Sequence, residues 1–400
     1  MKKKLISLLC VASLLIGLLA GCGSSGSAQT ANGAKPAADK SASGTIQVGI
    51  VLPTKDEPRW LQDQAQFESI LSDAGFTNQV MFSQGSSATE KTNVETLISK
   101  GISVLIICAQ DGAAAAAAVE AAKAAGVTVI AYDRLITGTD AVDYYVTFDS
   151  FAVGAAQGQY LVDNAPAGSG IPLYLYAGAA TDNNAFIFFE GAWSVLQPKI
   201  ADGTFVIENS SEAEALQNKA ELTRDEVGKI VGQVTTDWDF NVAKSKAEAN
   251  LTAVGADKKG DVLVLAPNDG TARSIADVFA ADKDVSSYVI TGQDSEKASV
   301  QYVIDGKQSM TVFKDTRTLA ADSVAMAMSI LNGETPKTDT TYNNGVKDVP
   351  AKQTDIVVVT KSNVKEALID SEYYDASDFT GTPCRAMSKS SSVKSSCRCR

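Results

Sequence analysis

Short apolar runs alternate with alanine-rich or amphipathic stretches along most of this 400-residue chain. Strand-like runs fall at 46–52, 80–82, 104–109, 127–132, 144–148, 172–176, 262–266, 288–291, 310–313 and 355–359. Several are apolar at successive positions, as in Val104, Leu105, Ile106 and Ile107. A strand reads this way when helices bury both of its faces, the condition of a parallel sheet. Between the runs lie helical stretches. Residues 113–125 are nearly all alanine, the best helix former, and Gly126 supplies a stop. Residues 316–331 are amphipathic and end at Asn332 and Gly333. The β-α-β-α alternation predicts doubly wound α/β sheets.

In such sheets ligands sit beyond the carboxyl ends of the strands. Those positions are polar here. Run 46–52 is followed by PTKDEPRW (53–60), run 104–109 by Gln110 and Asp111, and run 127–132 by Asp133 and Arg134. Run 144–148 leads to Asp149, and 172–176 to Thr181, Asp182, Asn183 and Asn184. Run 262–266 leads to Asn268 and Asp269, 288–291 to Gln293 and Asp294, and 310–313 to Lys314. Any one of these residues also reads as an N-cap for the next helix, Asp111, Asn268 and Asp269 in particular. Their recurrence at so many strand ends favours recognition. Carboxylates, amides and guanidinium groups match hydroxyls that both donate and accept, and Trp60 and Trp238 offer flat faces to the C–H side of a sugar ring.

Composition narrows the choice further. The chain carries 47 acidic and 35 basic residues, a net charge of −12, which disfavours nucleic acid as a partner. It has no histidine, so a Ser-His-Asp triad and most zinc sites are excluded. Neither a metal nor a cofactor is expected. Of the six cysteines, Cys108 lies in an apolar run and reads as a small buried side chain.

The two ends differ from the middle. Lys2, Lys3 and Lys4 precede an apolar run that closes on Leu19, Ala20, Gly21 and Cys22. This resembles the lipobox of bacterial lipoproteins, which implies a signal peptide over 1–21, a lipidated Cys22 and an anchor in the lipid bilayer. Residues 22–44 then read as a flexible tether, poor in large apolar side chains. Residues 381–400 form a basic tail containing Cys384, Cys397 and Cys399. It reads as a lipid- or wall-binding arm, as thiol or metal chemistry, or as an end foreign to the rest of the chain, and no function is placed there.

The stretches VGIVLPTKDEPRWLQD (48–63), VIAYDRLI (129–136), YVTFDS (145–150), TDNNA (181–185), APNDGTA (266–272), ITGQDSE (290–296) and MTVFKDTRTLA (310–320) carry a family resemblance. In these residues the chain is similar to the periplasmic sugar-binding proteins of ATP-driven importers, in the xylose-binding and multiple-sugar-binding branch. The resemblance implies a type I periplasmic binding protein fold: two Rossmann-like lobes with parallel sheets joined by a three-crossing hinge. The crossings are expected near 149–151, 314–316 and 340–350, giving a first lobe of 45–149 plus 315–341 and a second of 150–314 plus 342–380. Arg59 and Trp60 would line the first lobe's side of the cleft with Asp111 near them. Asp133 and Arg134 would form the principal clamp, with Asp133 as partner of Arg134. Asn184, Asn268 and Asp294 would close from the second lobe, Trp238 would stack on the ring, and Lys314 would reach in from a crossing segment. Ser150, where the branch commonly has Asn, and the polar stretch 210–236 depart from the pattern. The implied ligand is a monosaccharide, xylose first, with glucose, galactose and arabinose behind it. The implied partners are an ABC permease and its ATPase, and the implied state is a monomer.

Other functions share parts of this reading. A sugar-sensing lipoprotein that signals to a chemoreceptor or receptor kinase differs only in its membrane partner. A repressor's effector domain has this fold but would carry a DNA-binding segment in place of the lipobox. An extracellular glycosidase would need two carboxylates flanking the scissile bond, and Asp133 with Asp294 is the pair to consider.

Overall fold

A computed structural model describes residues 46–381. The signal segment, Cys22, the tether and the tail beyond 381 lie outside the described residues. The first lobe begins with β1 (Val48–Leu52), α1 (Pro58–Asp73), β2 (Asn78–Phe82), α2 (Ser87–Ser99), β3 (Val104–Ile107), α3 (Ala116–Ala124), β4 (Thr128–Tyr132) and β5 (Tyr144–Phe148). The second continues with α4 (Ser150–Asp163), β6 (Ile171–Leu175), α5 (Asn183–Ala201), β7 (Phe205–Ile207), α6 (Ser211–Ala215), α7 (Arg224–Val234), α8 (Phe240–Ala253), β8 (Gly260–Leu265), α9 (Asp269–Ala281), β9 (Val285–Ile290), α10 (Lys297–Asp305) and β10 (Met310–Phe313). The chain then returns to lobe one through α11 (Thr316–Leu331), β11 (Thr340–Asn343) and β12 (Asp348–Thr354), and ends in lobe two with β13 (Val357–Thr360).

Lobe one is a seven-stranded sheet of order β11-β12-β5-β4-β3-β1-β2, parallel except for the β11–β12 hairpin. Its strands alternate strictly between two cores. Val51, Leu105, Ile107 and Val129 pack with Leu97 of α2 and Val119 of α3. Ile50, Leu52, Ile106 and Ile130 pack with Phe67 of α1 and Leu319 of α11 on the other face. The successive apolar positions of these strands therefore reflect helices on both sides. Cys108 is a free, buried thiol in the second of these cores.

Lobe two holds a parallel sheet of order β7-β6-β8-β9. A bridge between Gln293 and Val312 brings the antiparallel β10–β13 pair alongside it. Its helices approach closely where glycine permits. A Cβ on Gly154 of α4 would fall 1.8 Å from the Phe188 carbonyl oxygen, and one on Gly191 of α5 would fall 2.1 Å from that of Phe151. The polar stretch 210–236, a departure from the family pattern, is built into the lobe. It contains α7, opened by a Thr223–Glu226 capping box, and Val227, Ile230, Val231 and Val234 of α7 enter the lobe's core.

The chain passes between lobes at the β5–α4, β10–α11 and β12–β13 junctions. The third crossing thus lies near 354–357, later than the 340–350 expected, and residues 342–354 belong to lobe one. Strand pairing is the reason: β12 lies parallel to β5, Ala351 opposite Tyr145, while Val349 and Ala351 fill the first lobe's core.

Candidate binding site between the lobes

The carboxyl ends of the strands in both lobes face one cavity of about 320 Å³. In lobe one the chain leaves β1 into α1, where Pro58 at the first helical position presets the backbone. This places Arg59 and Trp60 in the first turn, both buried. The Arg59 guanidinium donates to Asp133 Oδ2 at 2.6 Å and lies 3.5 Å from both Asp63 and Asp294. It also sits 4.6 Å from the Trp60 ring centroid, within cation–π range.

Asp133 and Arg134 follow β4, and both line the cavity. They do not pair with each other as expected. Asp133 pairs with Arg59, and Arg134 pairs across the cleft with Asp182 at 3.1 Å and donates to the Ala109 carbonyl at 3.2 Å. The cause is the backbone. Asp133 has φ 62°, a left-handed conformation unusual for a non-glycine residue. Tyr145 Oη and Asn184 Nδ2 each donate to its carbonyl at 2.7 Å.

From lobe two, Asp182 is the N-cap of α5 and its carboxylate accepts from the Asn184 N–H at 2.9 Å. Asn268 caps α9 through Thr271 while also lining the cavity, so its capping role and its place in the cavity coexist. Asp294 has φ 96° and is ion-paired with Lys314 Nζ at 2.8 Å. Trp238, φ 59°, can lie where it does because Gly178 has no side chain: a Cβ there would fall 2.0 Å from the indole. Left-handed backbone at Asp133, Trp238 and Asp294 concentrates strain where three site side chains are aimed.

The charges are mutually compensating. Burial would push the Asp133 carboxyl up, but Arg59, Lys314 and Arg134 together hold it below the usual range. Burial pushes Asp63 up to about 7 against the attraction of Arg59. Burial likewise pushes Glu57 up to about 7. For Asp182 burial outweighs Arg134 and the pKa rises.

Arg59, Trp60, Asp133, Arg134, Asn184, Trp238, Asn268, Asp294 and Lys314 all line the cavity. Asp111 does not. Its carboxylate accepts the backbone N–H groups of Ala113 and Ala114, each at 2.9 Å, which spends it on the turn into α3. Four further residues line the cavity: Glu57, Asp182, Phe188 and Gln293. Glu57, Asp182 and Gln293 stand in the same polar strand-end clusters as the expected site residues. Phe188 lies four residues after Asn184, on the same face of α5, and that spacing is the signal for it. Among the described residues no cluster of acidic or thiol groups is arranged to hold a metal ion.

A model of the periplasmic binding protein domain matches residues 48–335. The chain belongs to the periplasmic binding protein family. It is 38% identical over 349 residues to the multiple sugar-binding periplasmic receptor of Rhizobium radiobacter, covering 85% of this chain and 92% of that one. It is 31% identical over 335 residues to the D-xylose-binding periplasmic protein of Escherichia coli, covering 84% and 92%. Among solved structures, a carbohydrate transporter solute binding protein of Chloroflexus aurantiacus in complex with D-glucose is 70% identical. It superposes with a TM-score of 0.83 over 85% of this chain and 99% of the other. An ABC transporter solute binding protein of Clostridium phytofermentans with bound β-D-glucose is 34% identical, with a TM-score of 0.75 over 83% and 99%. The two-lobed α/β architecture is therefore that of a type I periplasmic binding protein, and membership of this family places the chain outside the cytoplasm.

Proposed function

We propose that this periplasmic binding protein captures one monosaccharide between its lobes and delivers it to an ABC importer's permease and ATPase. The observation that carries the reading is the convergence of Arg59, Trp60 and Asp133 from one lobe and Asn184, Trp238 and Asn268 from the other on one small cavity. D-Glucose is the first candidate, because two neighbours at 70% and 34% identity were solved with it. D-Xylose follows. The Leu19-Ala20-Gly21-Cys22 sequence supports an anchor through acylated Cys22 on the outer face of the membrane.

Capture works through closure. Sugar bridging the two walls gives the closed state contacts that the open state lacks, and only that difference in affinity shifts the equilibrium. A glycosidase reading is not favoured. Of the pair considered for it, Asp133 is held low by three cations and does not suit the proton-donor role, and the relatives at 38% and 31% identity are sugar-binding proteins.

The test is titration calorimetry of the full chain with D-glucose and D-xylose. A saturable one-to-one heat is expected, and Asp133→Ala should remove most of it. The lost partner is that of Arg59, left buried beside a cavity it no longer matches. Unchanged affinity in that variant rejects the assignment of Asp133.

A further inference from the structure

A second, larger space adjoins the sugar cavity. This groove of about 1150 Å³ is walled by Thr54, Gln84 and Gln110 of lobe one and by Asp237, Asp239 and Asn241 of lobe two. It shares Glu57, Arg134 and Trp238 with the cavity, so those three side chains line both spaces and stand between them. We propose that the groove is a second glycosyl subsite, so that the protein also takes a disaccharide or other O-glycoside whose first ring occupies the cavity and whose second lies in the groove. The proposal rests on the monosaccharide reading above and extends it.

Three features carry it. The groove's wall is rich in amide, hydroxyl and carboxylate groups, the set that pairs with alternating sugar hydroxyls. The side chains at the junction suit a linkage oxygen. A hydroxyl both donates and accepts, but a glycosidic oxygen only accepts, so the groups beside it must donate. Arg134 has five N–H donors, and its contacts with Asp182 and Ala109 use only some of them. The buried indole N–H of Trp238 has no hydrogen-bond partner among the described residues. Both are donors without acceptor capacity, and the Glu57 carboxyl, pushed up to about 7, is part-protonated near neutrality and then donates as well. Finally, strained backbone frames the groove on both sides. Gln84 (φ 53°) and Asp237 (φ 52°) are left-handed non-glycine residues on opposite lobes. Such conformations persist where the surroundings over-determine them, often at ligand clamps.

The experiment is calorimetry on the full chain with D-glucose, maltose and cellobiose, repeated on the double variant Gln110→Ala/Asn241→Ala. Neither side chain touches the sugar cavity or makes a hydrogen bond recorded among the described residues. At least one disaccharide is expected to bind one-to-one, in competition with D-glucose and within about tenfold of its affinity. The double variant should weaken that disaccharide at least tenfold while leaving D-glucose within about twofold. Glucose binding without any disaccharide binding overturns the subsite and spares the monosaccharide reading. A disaccharide that does not compete with glucose, or whose affinity follows glucose or stays unchanged in the double variant, also overturns the subsite. Failure of all three sugars overturns both.

Discussion

On the lobe-one wall of the cavity most side chains are charged, and one cluster is already paired within its own lobe: Arg59 holds Asp133 at 2.6 Å and Asp63 at 3.5 Å, beside the Trp60 ring. On the lobe-two wall they are mostly amides and rings. Asn184, Asn268, Gln293, Phe188 and Trp238 sit on helix starts and turns, and the charged members are Asp182, paired with Arg134 across the cleft, and Asp294, tied to Lys314. Few direct bonds join the walls. They include Arg134 with Asp182, Asn184 with the Asp133 carbonyl, and Arg59 with Asp294. The difference indicates a division of labour. Lobe one presents a largely charged half-site built around the Arg59 cluster, while lobe two supplies mostly neutral groups whose contribution is realised when the lobes meet. Pre-organisation in one half lowers the ordering cost of binding, and the differential contacts of the other half drive closure.

The contrast can be broken most forcefully in lobe one. Asp133→Ala is expected to cost about 2–5 kcal/mol of sugar binding, roughly 30-fold or more, because a buried charge loses its partner. Calorimetry reads this directly. In lobe two, Asn268→Ala removes one neutral hydrogen-bonding group and an N-cap. The expectation is about 1 kcal/mol in affinity and a similar loss of stability in a thermal melt. A larger binding loss for Asn268 than for Asp133 would reverse the division proposed here.

A pH series sharpens the same point. Asp63 and Glu57 are pushed up to about 7 by burial. Their unfolded values lie near 4. The folded chain therefore binds more protons than the unfolded one between about pH 4 and 7. The stability these groups contribute is fully present below the lower value and is lost as pH rises through about 7. Melting of Asp63→Asn across this window should show a shallower fall than the natural chain, and an equal slope would contradict the burial argument. The smallest effect on binding belongs to Asp111→Ala. Affinity should not change, while the turn into α3 loses its cap, about 0.5–2 kcal/mol of stability.

Much of this was legible in the chain itself. The successive apolar positions of β1 and β3 announced a parallel sheet buried on both faces, and the polar residues that follow each strand marked the cavity. Pairing was less legible. Asp133 and Arg134 are neighbours in sequence, and only the left-handed backbone at Asp133 shows why they turn to different partners. Asp111 illustrates the ambiguity of a carboxylate after a strand, since capping and ligand binding ask for the same residue. The third crossing lies later than expected because β11 is a four-residue edge strand and β12, though paired on both sides, reads DVPAKQT with polar side chains at alternating positions, so neither carries the apolar signal of the central strands. Phe188 escaped because its partners come from other elements: the Trp238 ring, 6.4 Å away, belongs to a turn fifty residues later in the chain.

The central claim is that both lobes grip one sugar, and titration with D-glucose of two single variants tests it most directly, Arg59→Gln from lobe one and Asn184→Ala from lobe two. The account predicts one-to-one binding to the natural chain that each variant weakens, Arg59→Gln more than Asn184→Ala. Saturable glucose binding that is indifferent to either substitution would contradict it, because that sugar would then be held by one lobe alone.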